Sequence, residues 1–190
     1  DPVSLIFIHV GLIGFPNAGK SSLLNALTNA QAKVGDYPFT TLDPNLGDLY
    51  GFIIADIPGL IEGASDGKGL GHKFLRHIAK TKVLVHLVSF EQSNSASGRT
   101  GMMNAYETIR DELAKYGETL AQKDEIILLT KTDTVPREVV EQTMKKFEKM
   151  PARPHEGSGA GGNKQVFAIT LFDEAGVKAF KDSLVNFLKQ

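Results

Sequence analysis

A phosphate-binding loop is the strongest chemical signal in the sequence. Residues 14–21 read Gly-Phe-Pro-Asn-Ala-Gly-Lys-Ser, a full match to the pattern G-x-x-x-x-G-K-S. Backbone N–H groups at the start of a helix point at bound phosphate, and glycine lets the main chain approach it closely. We therefore expect Lys20 to reach the β- and γ-phosphates of a nucleotide and the Ser21 hydroxyl to bind Mg²⁺. The predicted nucleotide contacts in and beside this loop are Gly14, Pro16, Asn17, Ala18, Gly19, Lys20, Ser21 and Ser22.

A second chemical signal concerns the base of the nucleotide. Thr130-Lys131-Thr132-Asp133 follows an apolar run and occupies the place of the N-K-x-D box that reads guanine. A carboxylate at Asp133 can accept hydrogen bonds from guanine N1–H and the exocyclic amino group, a pair of donors that adenine lacks. A buried polar group left unpaired is costly, so such a site rejects the wrong base. The Lys131 stem is expected to cover one face of the base. Thr130 replaces the usual Asn, whose amide contacts the base and braces the phosphate loop, which puts the affinity in question but not the choice of guanine.

Two weaker boxes complete the pattern. Asp56-Ile57-Pro58-Gly59 closes an apolar run as D-x-x-G does in GTPases. Asp56 is expected to hold Mg²⁺ through water, and the Gly59 N–H to meet the γ-phosphate. Near the end of the chain, Thr170 and Leu171 stand where an S-A-x box would back the guanine.

Composition limits the remaining classes of function. The 190 residues fit one large domain, and 42% hydrophobic with 23% charged residues is ordinary for a globular α/β protein. The absence of cysteine excludes disulfides and thiolate metal sites. A net charge of −1 offers no overall field for nucleic acid or an anionic membrane, so sequence-specific DNA binding is not expected. No apolar run reaches the roughly 18 residues of a membrane span.

Apolar runs alternate with helical patterns along the chain. This alternation predicts a mostly parallel sheet with helices on both faces, and one hairpin within residues 46–56 predicts an antiparallel strand. Residues 92–101 and 151–163 are predicted to be surface loops, and His9 and His86 to be structural residues of core strands. The predicted strands cover residues 5–13, 46–50, 52–56, 82–89, 125–130 and 165–170. The predicted helices cover 20–29 and 70–79 and have apolar faces at 106–116, 140–147 and 177–188.

Three longer stretches resemble the G domain of the Obg family, within the TRAFAC class of GTPases. They are the phosphate loop itself, the run Tyr-Pro-Phe-Thr-Thr-Leu-Asp-Pro-Asn-Leu-Gly at 37–47, and Asp-Ile-Pro-Gly-Leu-Ile-Glu-Gly-Ala at 56–64 followed by Gly-Leu-Gly-His-Lys-Phe-Leu-Arg-His at 69–77. The resemblance covers essentially the whole chain. It implies a three-layer, Ras-like phosphate-loop NTPase fold, with a six-stranded, mostly parallel sheet, one antiparallel edge strand and about five helices.

The resemblance also implies a molecular switch that hydrolyses GTP to GDP and phosphate. Residues 37–47 would form the first switch, in which Thr41 reaches Mg²⁺, with Thr40 as the alternative ligand and Phe39 beside the nucleotide. Lys20, Thr41 and Gly59 are the expected catalytic residues.

The sequence lacks the residue that usually positions the water for attack on the γ-phosphate. Ras-like enzymes orient it with a glutamine after D-x-x-G, whereas this chain has Leu60, which forms no hydrogen bond. Asn17 matches the residue that helps to hold K⁺ in cation-activated relatives, and a cation near the phosphates can neutralise developing charge. We therefore hypothesise slow intrinsic hydrolysis that K⁺ stimulates.

Two alternatives remain open at this point. One is a nucleotide-gated binding scaffold with negligible hydrolysis, which Leu60 keeps open. The other is an ATPase like the YchF branch, against which Asp133 argues. The resemblance implies association with the large ribosomal subunit during its assembly, in the bacterial cytoplasm or an organellar matrix. Obg proteins carry a glycine-rich N-terminal domain and often a C-terminal extension, and neither is seen here. We interpret residues 1–190 as a single G domain from a longer protein.

Overall fold

The computed structural model describes residues 7–28, 33–34, 45–57, 81–94, 99–115, 122–151 and 164–190. The strands are β1 (Val10–Gly14), β2 (Lys33–Val34), β3 (Asn45–Leu49), β4 (Phe52–Asp56), β5 (Val83–Ser89), β6 (Asp124–Thr130) and β7 (Lys164–Ala168). The α-helices in these ranges are α1 (Lys20–Thr28), α2 (Arg99–Lys115), α3 (Arg137–Lys149) and α4 (Glu174–Leu188). Two 3₁₀ turns, Phe90–Asn94 and Thr132–Thr134, follow β5 and β6.

The seven strands of the described ranges form one sheet in the order β2-β3-β4-β1-β5-β6-β7. β1 pairs in parallel with β4 and β5, and β6 and β7 continue the parallel part. β3 pairs antiparallel with β4. The prediction of a mostly parallel sheet with an antiparallel strand is confirmed, and the two-residue β2 adds a strand outside β3. The carboxyl ends of the parallel strands meet at one edge, where ligands of such sheets bind.

Helices cover both faces of this sheet. On one face α1 and α4 pack against β1 and β5, with Leu24 of α1 and Leu184 of α4 completely buried. On the other face α2 and α3 pack against β5 and β6, where Tyr106 and Phe147 meet. The three-layer prediction is therefore confirmed. The helix predicted at 70–79 lies outside the described residues.

The predicted loop at 92–101 is partly wrong. A 3₁₀ turn runs through Asn94, and α2 already begins at Arg99. Met102 is buried and lies four residues before Tyr106. The apolar face of α2 therefore begins one turn before Tyr106, earlier than the Ser- and Gly-rich composition of residues 92–101 suggests. Burial of that face outweighs the low helix propensity of the first turn. Of the other predicted loop, only Pro151 is described.

The helix α1 approaches β3 closely at Gly47. A Cβ atom at this position would lie 2.4 Å from Thr28 Cγ2 and 2.9 Å from Leu24 Cδ1. Thr28 itself donates a hydrogen bond to the Leu24 carbonyl at 2.8 Å. Glycine therefore sets the distance between the sheet and the helix that follows the phosphate loop.

His86 and His9 have structural partners, as predicted. The buried His86 Nδ1 lies 3.2 Å from Glu125 Oε1, and its ring stacks on Tyr106. Tyr106 donates its hydroxyl proton to Glu125 Oε2 at 2.8 Å, and Arg110 Nη1 lies 3.7 Å from the same oxygen. Burial lowers the pKa of His86, although its hydrogen bond to Glu125 opposes the shift. His9 Nδ1 accepts a hydrogen bond from the Ile53 N–H at 2.9 Å.

Candidate functional site: a nucleotide pocket

The phosphate loop joins the end of β1 to the start of α1. Gly14 has a φ of 154°, and a Cβ there would lie 2.7 Å from the Leu87 carbonyl oxygen of β5. Gly19 has a φ of 100°, and Asn17 adopts the left-handed conformation at 67°. Both glycines of the motif are thus required by the backbone, one for close packing and one for its conformation. The loop turns so that the N-terminus of α1 faces the carboxyl edge of the sheet.

Lys20 folds back across this loop. Its Nζ donates hydrogen bonds to the Gly14 carbonyl at 2.9 Å and the Phe15 carbonyl at 3.4 Å. Burial lowers the pKa of the Lys20 ammonium, while the nearby Asp56 carboxylate opposes the shift. The lysine ammonium therefore lies inside the curve of the loop.

Ser21 and Asp56 meet beside the loop. The Ser21 hydroxyl donates to Asp56 Oδ2 at 2.8 Å, across the gap between α1 and the end of β4. Asp56 Oδ1 is buried without a hydrogen-bond partner, which is costly unless a ligand satisfies it. A hydroxyl and a carboxylate are the hard oxygen donors that Mg²⁺ takes. No group of three or more acidic, His or Cys side chains that could hold a metal ion occurs in the described ranges.

Thr130 braces the phosphate loop from the end of β6. Its hydroxyl donates a buried hydrogen bond to the Ala18 carbonyl at 2.8 Å. This is the bracing contact that the sequence left in question, because Thr stands where Asn is usual. The loop is therefore held by the hydroxyl.

Asp133 is held from the opposite side by the segment after β7. Thr170 donates its hydroxyl proton to Asp133 Oδ1 at 2.8 Å. The Thr132 N–H donates to the Ile169 carbonyl at 3.3 Å, which ties the two segments together. The carboxylate is exposed on the 3₁₀ turn, so it is oriented by Thr170 while remaining open to a ligand.

One pocket of about 260 Å³ brings these elements together. Its volume lies near the lower end of small-molecule sites. The predicted residues in its lining are Ala18, Gly19, Ser22, Thr130, Lys131, Asp133, Thr170 and Leu171. The lining residues that the sequence did not predict are Leu23, Glu91, Thr134, Ile169 and Phe172. Glu91 and Phe172 both follow the carboxyl ends of parallel strands, which is the signal that could have found them.

Several predicted residues are not in that pocket. Pro16 and Asn17 are exposed on the phosphate loop, and Lys20, Ser21 and Asp56 form the adjoining group described above. The residues predicted in the two switches, Phe39, Thr40, Thr41, Gly59 and Leu60, lie outside the described residues.

Comparison with known proteins agrees with this geometry. A family model described as "50S ribosome-binding GTPase" matches residues 9–131, more than half of the chain. GTPase Obg from Orientia tsutsugamushi (strain Boryong) is 42% identical over 185 residues, which cover 95% of this chain and 51% of that protein. GTPase Obg from Anaeromyxobacter sp. (strain Fw109-5) is 49% identical over 165 residues, covering 83% of this chain and 46% of that protein. The chain belongs to the Obg family of GTPases. It spans about half the length of the curated relatives it matches.

Solved structures share the fold of this Obg-family chain. The cytosolic domain of L. pneumophila FeoB has a TM-score of 0.60 at 21% identity, covering 94% of this chain and 68% of that one. The G domain of T. maritima FeoB has a TM-score of 0.53 at 19% identity, covering 95% and 98%. These identities are low, so the likeness supports the fold alone. Within the described ranges, no helix of this Obg-family chain has the length and apolar character to cross a membrane.

Proposed function

We propose that this Obg-family domain binds GTP and GDP and hydrolyses GTP to GDP and phosphate as a molecular switch. The observation that carries the proposal is the pocket in which the phosphate loop at Ala18 faces Asp133. Thr130 fixes the loop from one side and Thr170 fixes Asp133 from the other. The distance between phosphate-binding and base-reading groups is thereby set before the nucleotide arrives, which lowers the cost of binding.

Each group has a defined task in this reaction. The free N–H groups and positive dipole end of α1 bind the phosphates. Lys20 exchanges its bonds to the loop carbonyls for the β- and γ-phosphate oxygens, where its charge stabilises the negative charge that develops on hydrolysis. Asp133 accepts hydrogen bonds from the guanine edge. Thr41 and Gly59, in the switches, are proposed to complete the γ-phosphate site.

Mg²⁺ is the proposed metal cofactor. Ser21 and Asp56 would hold it, Ser21 directly and Asp56 through water, and Asp56 Oδ1 provides the buried oxygen that needs a partner. When bound, Mg²⁺ supplies positive charge at the β- and γ-phosphates.

K⁺ is proposed as a second, activating cation. Asn17 is exposed at the tip of the phosphate loop in the left-handed conformation, so its side chain is accessible at the surface of the loop. Leu60 offers no hydrogen bond to the attacking water, so we expect slow intrinsic turnover that rises with K⁺. Asn17→Ala is expected to lose the K⁺ stimulation while GDP binding is retained.

Base selectivity tests the proposed binding site. Unlabelled GDP and GTP are expected to displace fluorescent GDP in the presence of Mg²⁺, whereas ATP is not. Asp133→Asn removes the negative charge and replaces one of the two acceptor oxygens that face the guanine N–H groups by an NH₂ donor, so GDP should bind about tenfold or more weaker. Xanthine has a carbonyl where guanine has its amino group, so xanthosine diphosphate should bind the variant better than the wild type. This gain shows that the variant is folded.

The matched control is Asp111→Asn, an exposed carboxylate on α2, which should bind GDP like the wild type. If ATP competes as well as GDP, or if Asp133→Asn binds GDP normally, the base-reading role is wrong. A YchF-like ATPase or an unselective phosphate-loop protein would then be the better description.

Hydrolysis is tested separately by multiple-turnover phosphate release, with and without K⁺. Release above the no-enzyme rate, abolished in Lys20→Ala, supports the GTPase. Tight GTP binding without phosphate release under either condition would support the scaffold alternative instead.

We further propose that the whole protein acts on the large ribosomal subunit in the bacterial cytoplasm or an organellar matrix. The matched family model carries that partner in its description, and the domain itself, with a net charge of −1, brings no overall attraction for RNA. The longer protein should co-sediment with large subunits in a nucleotide-dependent manner, and this domain alone should not. If neither the longer protein nor this domain co-sediments with large subunits, the proposed partner is wrong.

A further inference from the structure

An ion pair crosses one wall of the nucleotide pocket. Lys131 Nζ donates a hydrogen bond to Glu91 Oε2 at 2.7 Å. Lys131 directly follows β6, and Glu91 lies in the 3₁₀ turn that follows β5. These strands are neighbours in the sheet, with Ser89 opposite Thr130, so the pair joins two adjacent strand ends at the ligand-binding edge.

Local hydrogen bonds fix the backbone at both Glu91 and Lys131. The Glu91 N–H donates to the Ser89 hydroxyl at 3.1 Å. Lys131 has a φ of 62°, and its carbonyl accepts hydrogen bonds from the Thr134 hydroxyl at 2.7 Å and the Thr134 N–H at 3.1 Å. The Lys131 side chain lines the pocket and reaches Glu91 across it. The pair therefore forms between two fixed points, which reduces the entropy lost when it closes.

The pocket contains a competing carboxylate. Asp133 lines the same cavity two residues after Lys131. A lysine released from Glu91 has many rotamers and is free to pair with Asp133 as well as with water. Either outcome removes the apolar stem from the pocket wall, and pairing with Asp133 also occupies the acceptor that guanine needs.

We propose that Glu91 is a positioning residue for the guanine nucleotide: it holds Lys131 across the pocket so that the lysine stem stays against the base. This inference rests on the proposed nucleotide-binding function. Glu91 acts through Lys131 and lowers the rate at which the nucleotide leaves. The ion pair is partly exposed, so the effect on dissociation is modest and falls with ionic strength.

Dissociation of fluorescent GDP from the full chain tests the proposal. Glu91→Ala and Lys131→Met should each release GDP about two- to fivefold faster than the wild type at low salt. The double variant should be no faster than Lys131→Met alone, because the two residues act as one unit. Added salt should narrow the difference between wild type and Glu91→Ala. Competition by inorganic pyrophosphate, which has no base, should be the same for wild type and Glu91→Ala.

Glu141→Ala is the matched control, since Glu141 pairs with Arg137 at 3.2 Å on the exposed face of α3 and should leave GDP release unchanged. A wild-type rate in Glu91→Ala, additive rates in the double variant, or an equal change in pyrophosphate competition would each overturn the positioning role. Failure of the wild type to bind GDP at all would instead reject the proposed function on which the inference rests.

Discussion

Thr130→Val offers the sharpest test of how the pocket is held together. Valine has the shape of threonine without its hydroxyl, so the substitution removes the bond to the Ala18 carbonyl with little change in packing. Both residues are buried, and the bond is 2.8 Å long. A hydrogen bond contributes about 0.5–1.5 kcal/mol net, and a buried partner left unsatisfied costs about 1–3 kcal/mol. We expect that loss to be shared between folding and the preorganisation of the phosphate loop.

The assay pairs urea unfolding without nucleotide with titration of fluorescent GDP. If the loss of about 1–3 kcal/mol is shared equally, the free energy of unfolding should fall by about 0.5–1.5 kcal/mol and GDP binding should weaken by about two- to twelvefold, at about 1.4 kcal/mol per tenfold. Thr143→Val is the matched control, because Thr143 is also buried and donates to a backbone carbonyl, that of Val139 at 2.7 Å, but within α3. Because the Val139 carbonyl keeps its helical N–H donor, this variant should change stability little and should leave GDP affinity unchanged. Normal GDP affinity in Thr130→Val would refute the bracing argument.

Two further predictions concern stability. Gly47→Ala should lower the free energy of unfolding by about 1–3 kcal/mol through overpacking. A second substitution, Thr28→Ser, removes the clashing Cγ2 and should restore part of that loss. Equal urea midpoints for the wild type and Gly47→Ala would contradict this prediction. Because burial lowers the pKa of His86 in the folded state from 6.5, the unfolded chain binds more protons below pH 6.5, and stability should fall as the pH drops below that value, by at most about 1.4 kcal/mol per pH unit for one proton. The free energy of unfolding, measured with urea from pH 7.5 to 5.0, should depend less steeply on pH for His86→Asn than for the wild type. The same pH dependence in both proteins would exclude His86 as the cause.

The phosphate loop and the base-reading box could be predicted because their chemistry is local. Each consists of a few consecutive residues, Gly14 to Ser21 and Thr130 to Asp133, whose types are dictated by one ligand. The strand-and-helix order also follows from local apolar periodicity. These features need no knowledge of which strands are neighbours.

The features that the sequence did not predict depend on which strands are neighbours in the sheet. Glu91 enters the pocket only because β5 and β6 are adjacent and their ends are level. Thr130 braces Ala18 across 112 positions of the chain, a contact that no sequence window contains. The early start of α2 at Arg99 depends on burial of Met102 against a sheet face, which composition alone does not reveal.

The order of strands in the sheet has a consequence for how the protein is made. β1 carries the phosphate loop, yet it is completed only by β4 and β5, from later parts of the chain. Asp133 is oriented by Thr170, near the carboxyl terminus. During synthesis, which proceeds from the amino terminus, the phosphate loop therefore emerges early, whereas the complete pocket requires β7 and the segment that follows it. A nascent chain cannot gain the stabilisation that nucleotide binding gives to a folded protein until nearly the whole domain has left the ribosome.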